Sequence, residues 1–221
     1  MVETVLMTSL SEQAYQQLRR LIIDLEFEPG AILREEELRD RLQIGRTPIR
    51  EAVQRLAREQ FVVVVPRKGV FVTGIDVSEL SLLYETRAVM EPYAARLAAA
   101  RGDDSHWAAM DQALAIGRGS PKSDLLAADR ACHEIMWSAA GNRFLVDTLD
   151  ALYAQSDRLW HMYLADVADM HDAVAEHRAI LDALRLGDGE RAADLVEGHV
   201  RSFDEQVRGA VAAGLEPPLA G

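Results

Sequence analysis

The sequence has one cysteine, no long apolar run and no basic leader, and each of these absences excludes a class of protein. Cys132 stands alone among 221 residues, so a disulfide framework and a zinc site made only of cysteine are both impossible. The longest aliphatic and aromatic run, from Phe61 to Val65, is far shorter than the ~20 residues that span a bilayer. The N-terminal segment has no basic region ahead of its short apolar stretch and does not resemble a secretory signal. We therefore expect a cytoplasmic protein with no membrane partner.

Basic residues are also in deficit, because 24 Lys and Arg face 36 Asp and Glu for a net charge of −12. This balance argues against a nucleic-acid partner until the charges are mapped along the chain. Residues 1–75 carry 11 basic and 11 acidic side chains, whereas residues 76–221 carry 13 and 25. Within residues 44–70, six basic side chains face only two acidic ones. Since phosphate contacts depend on the local field, the N-terminal part can still bind DNA.

The first 75 residues contain three helical patterns. Ser9 and Glu12 have the spacing of a capping box and predict the start of a first helix. A short second helix is expected over Glu35–Leu42. A third is expected from Thr47, with Thr47 as N-cap and Pro48 at the first helical position. The apolar face expected of this third helix consists of Ile49, Ala52, Val53 and Leu56.

Two strand-like segments follow the helices. The β-branched run Phe61–Val65 and the segment Val70–Thr73 predict a hairpin, with a basic turn between them. Three helices and such a hairpin are the layout of a winged helix-turn-helix, in which the start of the third helix enters the major groove. The residues that we expect to contact DNA are Arg46, Thr47 and Arg50 on the third helix and Arg67, Lys68 and Gly69 at the wing tip.

Residues 29–33, 36–62 and 67–72 together resemble the DNA-binding domain of the GntR family of bacterial transcription regulators. The string Arg-Thr-Pro-Ile-Arg-Glu-Ala at 46–52 and the wing glycine Gly69 carry most of this resemblance. Some family members place a DNA-contacting arginine on the second helix, but this chain has Glu37 there. The alternative reading is a solvated basic helix on an unrelated small domain.

The remainder of the chain, residues 76–221, looks helical throughout. Asp76 is expected to cap its first helix, and breaks are expected near residues 102–103, 117–121, 141–142, 165–170 and 187–189. These breaks predict about six helices. The overall expectation is a mainly α protein, with a winged helix-turn-helix domain over 1–75 and an all-helical bundle over 76–221.

Four polar residues occupy positions where the helical pattern of this second domain calls for apolar ones. Asp129 and His133 share one helix face, whereas His177 and His199 lie on the apolar faces of two further helices. Burying these groups without partners would destabilise the fold by several kcal/mol, so they need partners. The residues alone allow two interpretations, which are a divalent metal and hydrogen-bonded polar packing.

The spacing of these four residues resembles the FCD effector-binding domain of the FadR-like branch of the GntR family. The resemblance implies that Asp129, His133, His177 and His199 bind a divalent transition metal, with zinc first and nickel, manganese or iron also compatible. It also implies an inward-facing Arg87 and an effector contact from Asn142. For Arg87 the alternative is a surface pair with Glu91, and for Asn142 it is a C-terminal helix cap. Cys132 replaces the aromatic residue that is usual in the family, and it is either oxidisable or a small buried hydrophobe.

Together these features predict a transcription regulator, expected to act as a repressor, that binds a palindromic DNA operator as a homodimer and responds to a small carboxylate at the metal. Repression relieved by the effector is the more common arrangement in the family. One alternative is a metallohydrolase with an appended nucleic-acid-binding domain, although no HExxH signature is present. A third possibility is a regulator whose metal is purely structural.

Overall fold

The computed structural model describes residues 9–74, 79–117, 120–163 and 170–212, and the chain forms two compact units, Met1–Asp76 and Val77–Gly221. The described residues contain nine helices and one small sheet, in agreement with the mainly α fold expected. The expected helix cap Asp76 lies outside the described residues.

The first unit is a three-helix cluster with a small antiparallel sheet. Its elements are α1 (Leu10–Ile23), β1 (Ile32–Leu33), α2 (Glu35–Leu42), α3 (Arg46–Arg58), β2 (Val62–Val65) and β3 (Gly69–Val72). Ser9 caps α1 by accepting a hydrogen bond from the amide of Glu12 at 3.1 Å. Leu18, Ile22 and Leu56 are fully buried, and α1 packs against α3.

Helix α3 begins one residue before Thr47, so the expected capping role of Thr47 is wrong. Gly45 occupies the N-cap position without any side-chain capping bond, and its carbonyl oxygen accepts from the amide of Ile49 at 3.3 Å. Pro48 is therefore the third helical residue. It is tolerated there because none of the first four amides of a helix has an intrahelical acceptor. The four residues predicted for its apolar face are buried as expected.

The wing is a hairpin of β2 and β3, and it carries an additional strand that the sequence did not suggest. The sheet order is β1-β3-β2, with Ile32 opposite Phe71 and Val65 opposite Gly69. Strand β1 spans only two residues, too few to show any alternation. Gly69 has a φ of 122°, a backbone region that favours glycine, which explains its place at the tip.

The second unit is a bundle of six described helices. They are α4 (Leu80–Arg101), α5 (Asp104–Ala113), α6 (Lys122–Ala140), α7 (Arg143–Tyr163), α8 (Met170–Arg185) and α9 (Gly189–Ala212). Helix α4 packs against α6 and α9, and α8 packs against α6 and α9. Small buried residues on α4, such as Ala94 and Ala98, allow this close approach.

Gly102 provides a test of the packing in this bundle. An added Cβ would overlap the buried indole of Trp107 and lie 2.9 Å from the carbonyl oxygen of Ala98. We expect Gly102→Ala to lower the free energy of unfolding by about 1–3 kcal/mol, because the core has no room for the methyl group.

Gly198 in α9 is the matched control, since nothing lies within 4 Å of its added Cβ. Gly198→Ala should raise the free energy of unfolding by roughly 0.5–1 kcal/mol, because alanine favours helix more than glycine does. Denaturant unfolding measures both changes. Equal midpoints for Gly102→Ala and wild type would contradict the packing of Trp107.

Candidate metal centre and nucleic-acid surface

The four polar residues of the second unit meet in its interior. Asp129 and His133 lie on α6, His177 on α8 and His199 on α9, and each is no more than 5% exposed. Each residue offers one potential ligand atom, and these four atoms all lie within 4.8 Å of one another. The predicted set is therefore brought together by three different helices.

The Nδ1 atom of each imidazole faces an oxygen outside the cluster. Nδ1 of His177 donates to the carbonyl oxygen of Ala173 at 2.9 Å, and Nδ1 of His199 donates to Oε2 of Glu176 at 2.6 Å. Nδ1 of His133 lies 2.7 Å from Oε2 of Glu91. Carbonyl and carboxylate oxygens accept hydrogen bonds, so His177 and His199 each carry a hydrogen on Nδ1 and turn Nε2 toward the cluster. The contact between His133 and Glu91 is close, but neither Nδ1 nor Oε2 has a hydrogen-bond partner among the described residues.

Three buried polar atoms of the four clustered residues have no hydrogen-bond partner among the described residues. These are Oδ1 of Asp129, Nδ1 of His133 and Nε2 of His177. The other oxygen of Asp129, Oδ2, accepts from the hydroxyl of Tyr153 at 2.5 Å. Nε2 of His199 lies 3.6 Å from Oδ1 and 3.2 Å from Nε2 of His133. Unpaired buried atoms destabilise a fold, and three imidazoles with one carboxylate are ordinary ligands of divalent transition metals, so the residues fit such an ion.

Burial and mutual charge interactions shift the pKa values of three of the clustered residues. Burial raises the pKa of Asp129, but the three imidazoles, with His199 first among them, outweigh burial and hold the pKa well below its usual range. Burial lowers the pKa of His199, but Asp129 and Glu176 raise it to about 9. Burial and the neighbouring His199 lower the pKa of His177 to about 3. Asp129 is therefore a charged carboxylate among three imidazoles.

Arg87 and Glu91 do form the i, i+4 pair that was one of two alternatives, but the pair is buried rather than on the surface. Nε of Arg87 donates to Oε1 of Glu91 at 2.6 Å, and the side chains are 4% and 0% exposed. Burial raises the pKa of Glu91, but Arg87 and then His133 outweigh it and lower the pKa to about 2. The carboxylate is therefore charged and shared between an arginine and a candidate metal ligand.

A narrow cavity adjoins the cluster and includes Arg87 in its wall. Helix α7 supplies a polar and aromatic wall that the sequence analysis missed. Its residues there are Tyr153, Ser156, Asp157 and Trp160, which recur at helical spacing. The helical spacing of these residues was the signal in the sequence that could have identified this wall. The cavity has room for about one water-sized group.

Asn142 is not among the residues that line this cavity. Its Oδ1 accepts from the amide of Leu145 at 3.4 Å, at the start of α7. The side chain therefore caps the N-terminus of α7, and the alternative of a C-terminal cap is wrong. The C-terminus of α6 is instead ended by Gly141, whose φ is 63°.

The residues predicted to contact DNA lie on the surface of the first unit. Arg46, Thr47 and Arg50 are exposed in the first turns of α3, and Arg67, Lys68 and Gly69 are exposed at the tip of the hairpin. Glu35 of α2 lies beside the two arginines of α3, with its carboxylate oxygens 2.6 Å from Nε of Arg50 and 3.4 Å from Nε of Arg46. The acidic start of α2 therefore meets α3 through Glu35, not through Glu37.

No helix among the described residues is long and apolar enough to cross a bilayer.

Comparison with known proteins gives two family matches. Residues 10–72 match the family described as bacterial regulatory proteins, gntR family, and residues 82–202 match the FCD domain. The four clustered residues all lie within the second match.

Relatives match over nearly the whole chain. The HTH-type transcriptional repressor RspR of Escherichia coli (strain K12) is 28% identical over 204 residues, which cover 90% of this chain and 89% of that protein. The HTH-type transcriptional repressor GlaR of the same organism is 28% identical over 211 residues, covering 88% and 94%. The crystal structure of a transcriptional regulator GntR from Rhodococcus sp. RHA1 superposes with a TM-score of 0.73 at 27% identity, covering 92% and 99%.

The environment of Cys132 predicts that its thiol is unreactive. The residue is fully buried, and burial together with the charge of Asp129 raises the pKa of the thiol. We expect a disulfide reagent at mildly alkaline pH to label Cys132 at least roughly 100-fold more slowly in the native protein than in concentrated guanidinium. The reason is that the fold must open to expose the thiol, and an opening free energy of about 3 kcal/mol slows labelling by that factor. Rapid stoichiometric labelling of the native protein would instead favour an oxidisable thiol.

Proposed function

Because the chain belongs to the GntR family of bacterial transcription regulators and carries an FCD domain, we propose that it is a repressor that binds a palindromic operator as a homodimer and responds to a small organic acid bound at a metal site. The single observation that carries the metal site is the buried meeting of Asp129, His133, His177 and His199.

The first unit is proposed to read the operator. Arg46 and Arg50 stand at the exposed start of α3, where an arginine can make two hydrogen bonds to guanine. The hydroxyl of Thr47 and the wing residues Arg67, Lys68 and Gly69 are proposed to contact the phosphate backbone. A homodimer would place two such helices in successive major grooves, which is why the operator should be palindromic. A regulator of chromosomal DNA acts in the cytoplasm, and we assign it to that compartment.

The second unit is proposed to hold one divalent metal, with Nε2 of each histidine and a carboxylate oxygen of Asp129 as ligands. Zinc is the first candidate, and nickel, manganese and iron suit the same ligands. The metal would supply open coordination positions to a small carboxylate. Arg87 lies in the wall of the adjoining cavity, and its guanidinium has the geometry to bind the same carboxylate. Asn142 caps α7, and an effector contact from its side chain would require that cap to open.

The metallohydrolase alternative is set aside, because the families that match are regulators and not enzymes. The residues agree with this conclusion. Glu91 is a buried carboxylate beside the cluster, but Arg87 outweighs the effect of burial and lowers its pKa to about 2, which makes it a weak general base.

Elemental analysis tests the metal site. Untagged protein purified without chelator should contain about one transition metal per chain, and His133→Ala should lose it because a ligand is removed. His106→Gln is the matched control. His106 caps α5 and is not one of the four clustered residues. Glutamine suits the same capping position. A folded wild type that takes up no zinc, nickel or manganese would reduce the cluster to polar packing.

Chelation distinguishes an effector site from a structural one. Protein stripped of metal should stay folded by circular dichroism and lose only its response to ligands. Unfolding on chelation would favour a metal that serves the fold alone.

The DNA-binding surface is tested with an operator selected from random duplexes. Arg46→Ala and Arg50→Ala should each weaken binding by about 1–3 kcal/mol, because each removes a contact to a base. Arg58→Ala, at the exposed far end of α3, is the control for the loss of one positive charge. Wild-type affinity should also fall steeply with salt despite a net charge of −12. Unchanged affinity in both variants would contradict the assignment of α3.

A further inference from the structure

Glu91 is a buried carboxylate that is not one of the four proposed ligands. It lies on α4, is 0% exposed, and its two oxygens meet different partners. Oε1 accepts from Nε of Arg87 at 2.6 Å, and Oε2 lies 2.7 Å from Nδ1 of His133. A fully buried carboxylate needs compensating partners. This one lies between the guanidinium of Arg87 and Nδ1 of His133, the ring nitrogen that faces away from the cluster.

From this arrangement we propose that Glu91 is a positioning residue of the metal centre and that Arg87 governs how strongly it acts, so that these two residues of α4 set the metal affinity. The proposal rests on the metal site proposed above.

Glu91 acts on the metal through the ring of His133. An acceptor on Nδ1 keeps the hydrogen on that atom, turns Nε2 toward the centre and increases the electron density that Nε2 can donate. Among the described residues Nδ1 of His133 has no hydrogen-bond partner, and Oε2 of Glu91, 2.7 Å away, is the acceptor that a small turn of the ring would engage. Loss of such an outer partner commonly weakens metal binding by roughly 10–100-fold.

Arg87 opposes this effect because it shares the same carboxylate. Its guanidinium draws negative charge toward Oε1 and away from the oxygen that faces His133. It also adds a positive charge near a site that must accept a cation. Arg87 lines the cavity as well, so an anion that draws Arg87 away from Glu91 would strengthen the metal site.

The other two histidines provide the comparison. Nδ1 of His177 donates to a backbone carbonyl, which no side-chain substitution removes. Nδ1 of His199 donates to Glu176 at 2.6 Å, so Glu176 is an outer partner too and cannot serve as a control. Glu134→Gln is the matched control for Glu91→Gln, because Glu134 forms the same kind of i, i+4 pair, with Arg130, at a half-exposed position. Arg130→Met is the control for Arg87→Met, because Arg130 pairs with Glu134, Asp150 and Asp157 rather than with Glu91.

The test measures Zn²⁺ affinity of the full chain by competition with a chromophoric chelator, after metal is stripped, with circular dichroism as the check of folding. Glu91→Gln should bind Zn²⁺ about 10–100-fold more weakly than wild type. Arg87→Met should bind it several-fold more tightly, and both controls should stay within about threefold, since neither touches the carboxylate on His133. A purely structural ion pair would lower affinity in both variants, because both disturb the same fold.

The double variant Arg87→Met/Glu91→Gln removes both buried charges and serves if either single variant fails to fold. The double variant should bind Zn²⁺ more weakly than Arg87→Met. The loss of Zn²⁺ affinity from Arg87→Met to the double variant should exceed the loss from wild type to Glu91→Gln. Co²⁺ loading gives a second readout, since the visible spectrum of Glu91→Gln should shift as the His133 ring turns, whereas that of Glu134→Gln should not.

Two results would overturn the proposal in different ways. Wild-type affinity in Glu91→Gln and Arg87→Met, or equal weakening in both, contradicts the role of this pair and leaves the metal site standing. A wild type that binds no Zn²⁺ contradicts the metal site itself and the proposal with it.

Discussion

The second unit depends on how its interior accommodates four polar side chains that face one another. Oδ1 of Asp129, Nδ1 of His133 and Nε2 of His177 lack hydrogen-bond partners among the described residues. A bundle of six helices would be more stable with apolar residues there, since unpaired buried polar atoms are unfavourable. The arrangement is favourable when a cation occupies the centre, and this requirement ties α6, α8 and α9 into one geometry.

The surrounding residues are arranged as the outer partners of such a cation. Each imidazole has an oxygen on Nδ1, supplied by Glu91, Ala173 or Glu176, and Asp129 has the hydroxyl of Tyr153. These partners lie on α4, α7 and α8, so the centre draws on nearly every helix of the unit. The cavity lies against the same residues, which gives a bound anion direct access to the geometry that the metal would need.

Sequence patterns predicted the elements better than the contacts between them. Helix α2 begins and ends where its pattern indicated, and helical spacing alone placed Asp129, His133, His177 and His199 on inward faces. Strand β1 was missed because two residues carry no alternation, and the start of α3 was misplaced because a glycine N-cap leaves no side-chain signature. Glu91 could not be distinguished from an ordinary i, i+4 partner of Arg87, since its role arises from α6 packing on α4. Tyr153 and Asp157 were missed although their spacing on α7 was visible.

X-ray absorption at the zinc edge tests the central claim most directly, using wild-type protein loaded with one equivalent of Zn²⁺. The structure predicts a first shell of nitrogen and oxygen at about 2.0–2.2 Å, with the outer-shell scattering of three imidazoles and no sulfur. Sulfur at about 2.3 Å would mean that Cys132 binds the metal. That result, or a spectrum without imidazole scattering, would contradict a centre built from Asp129, His133, His177 and His199.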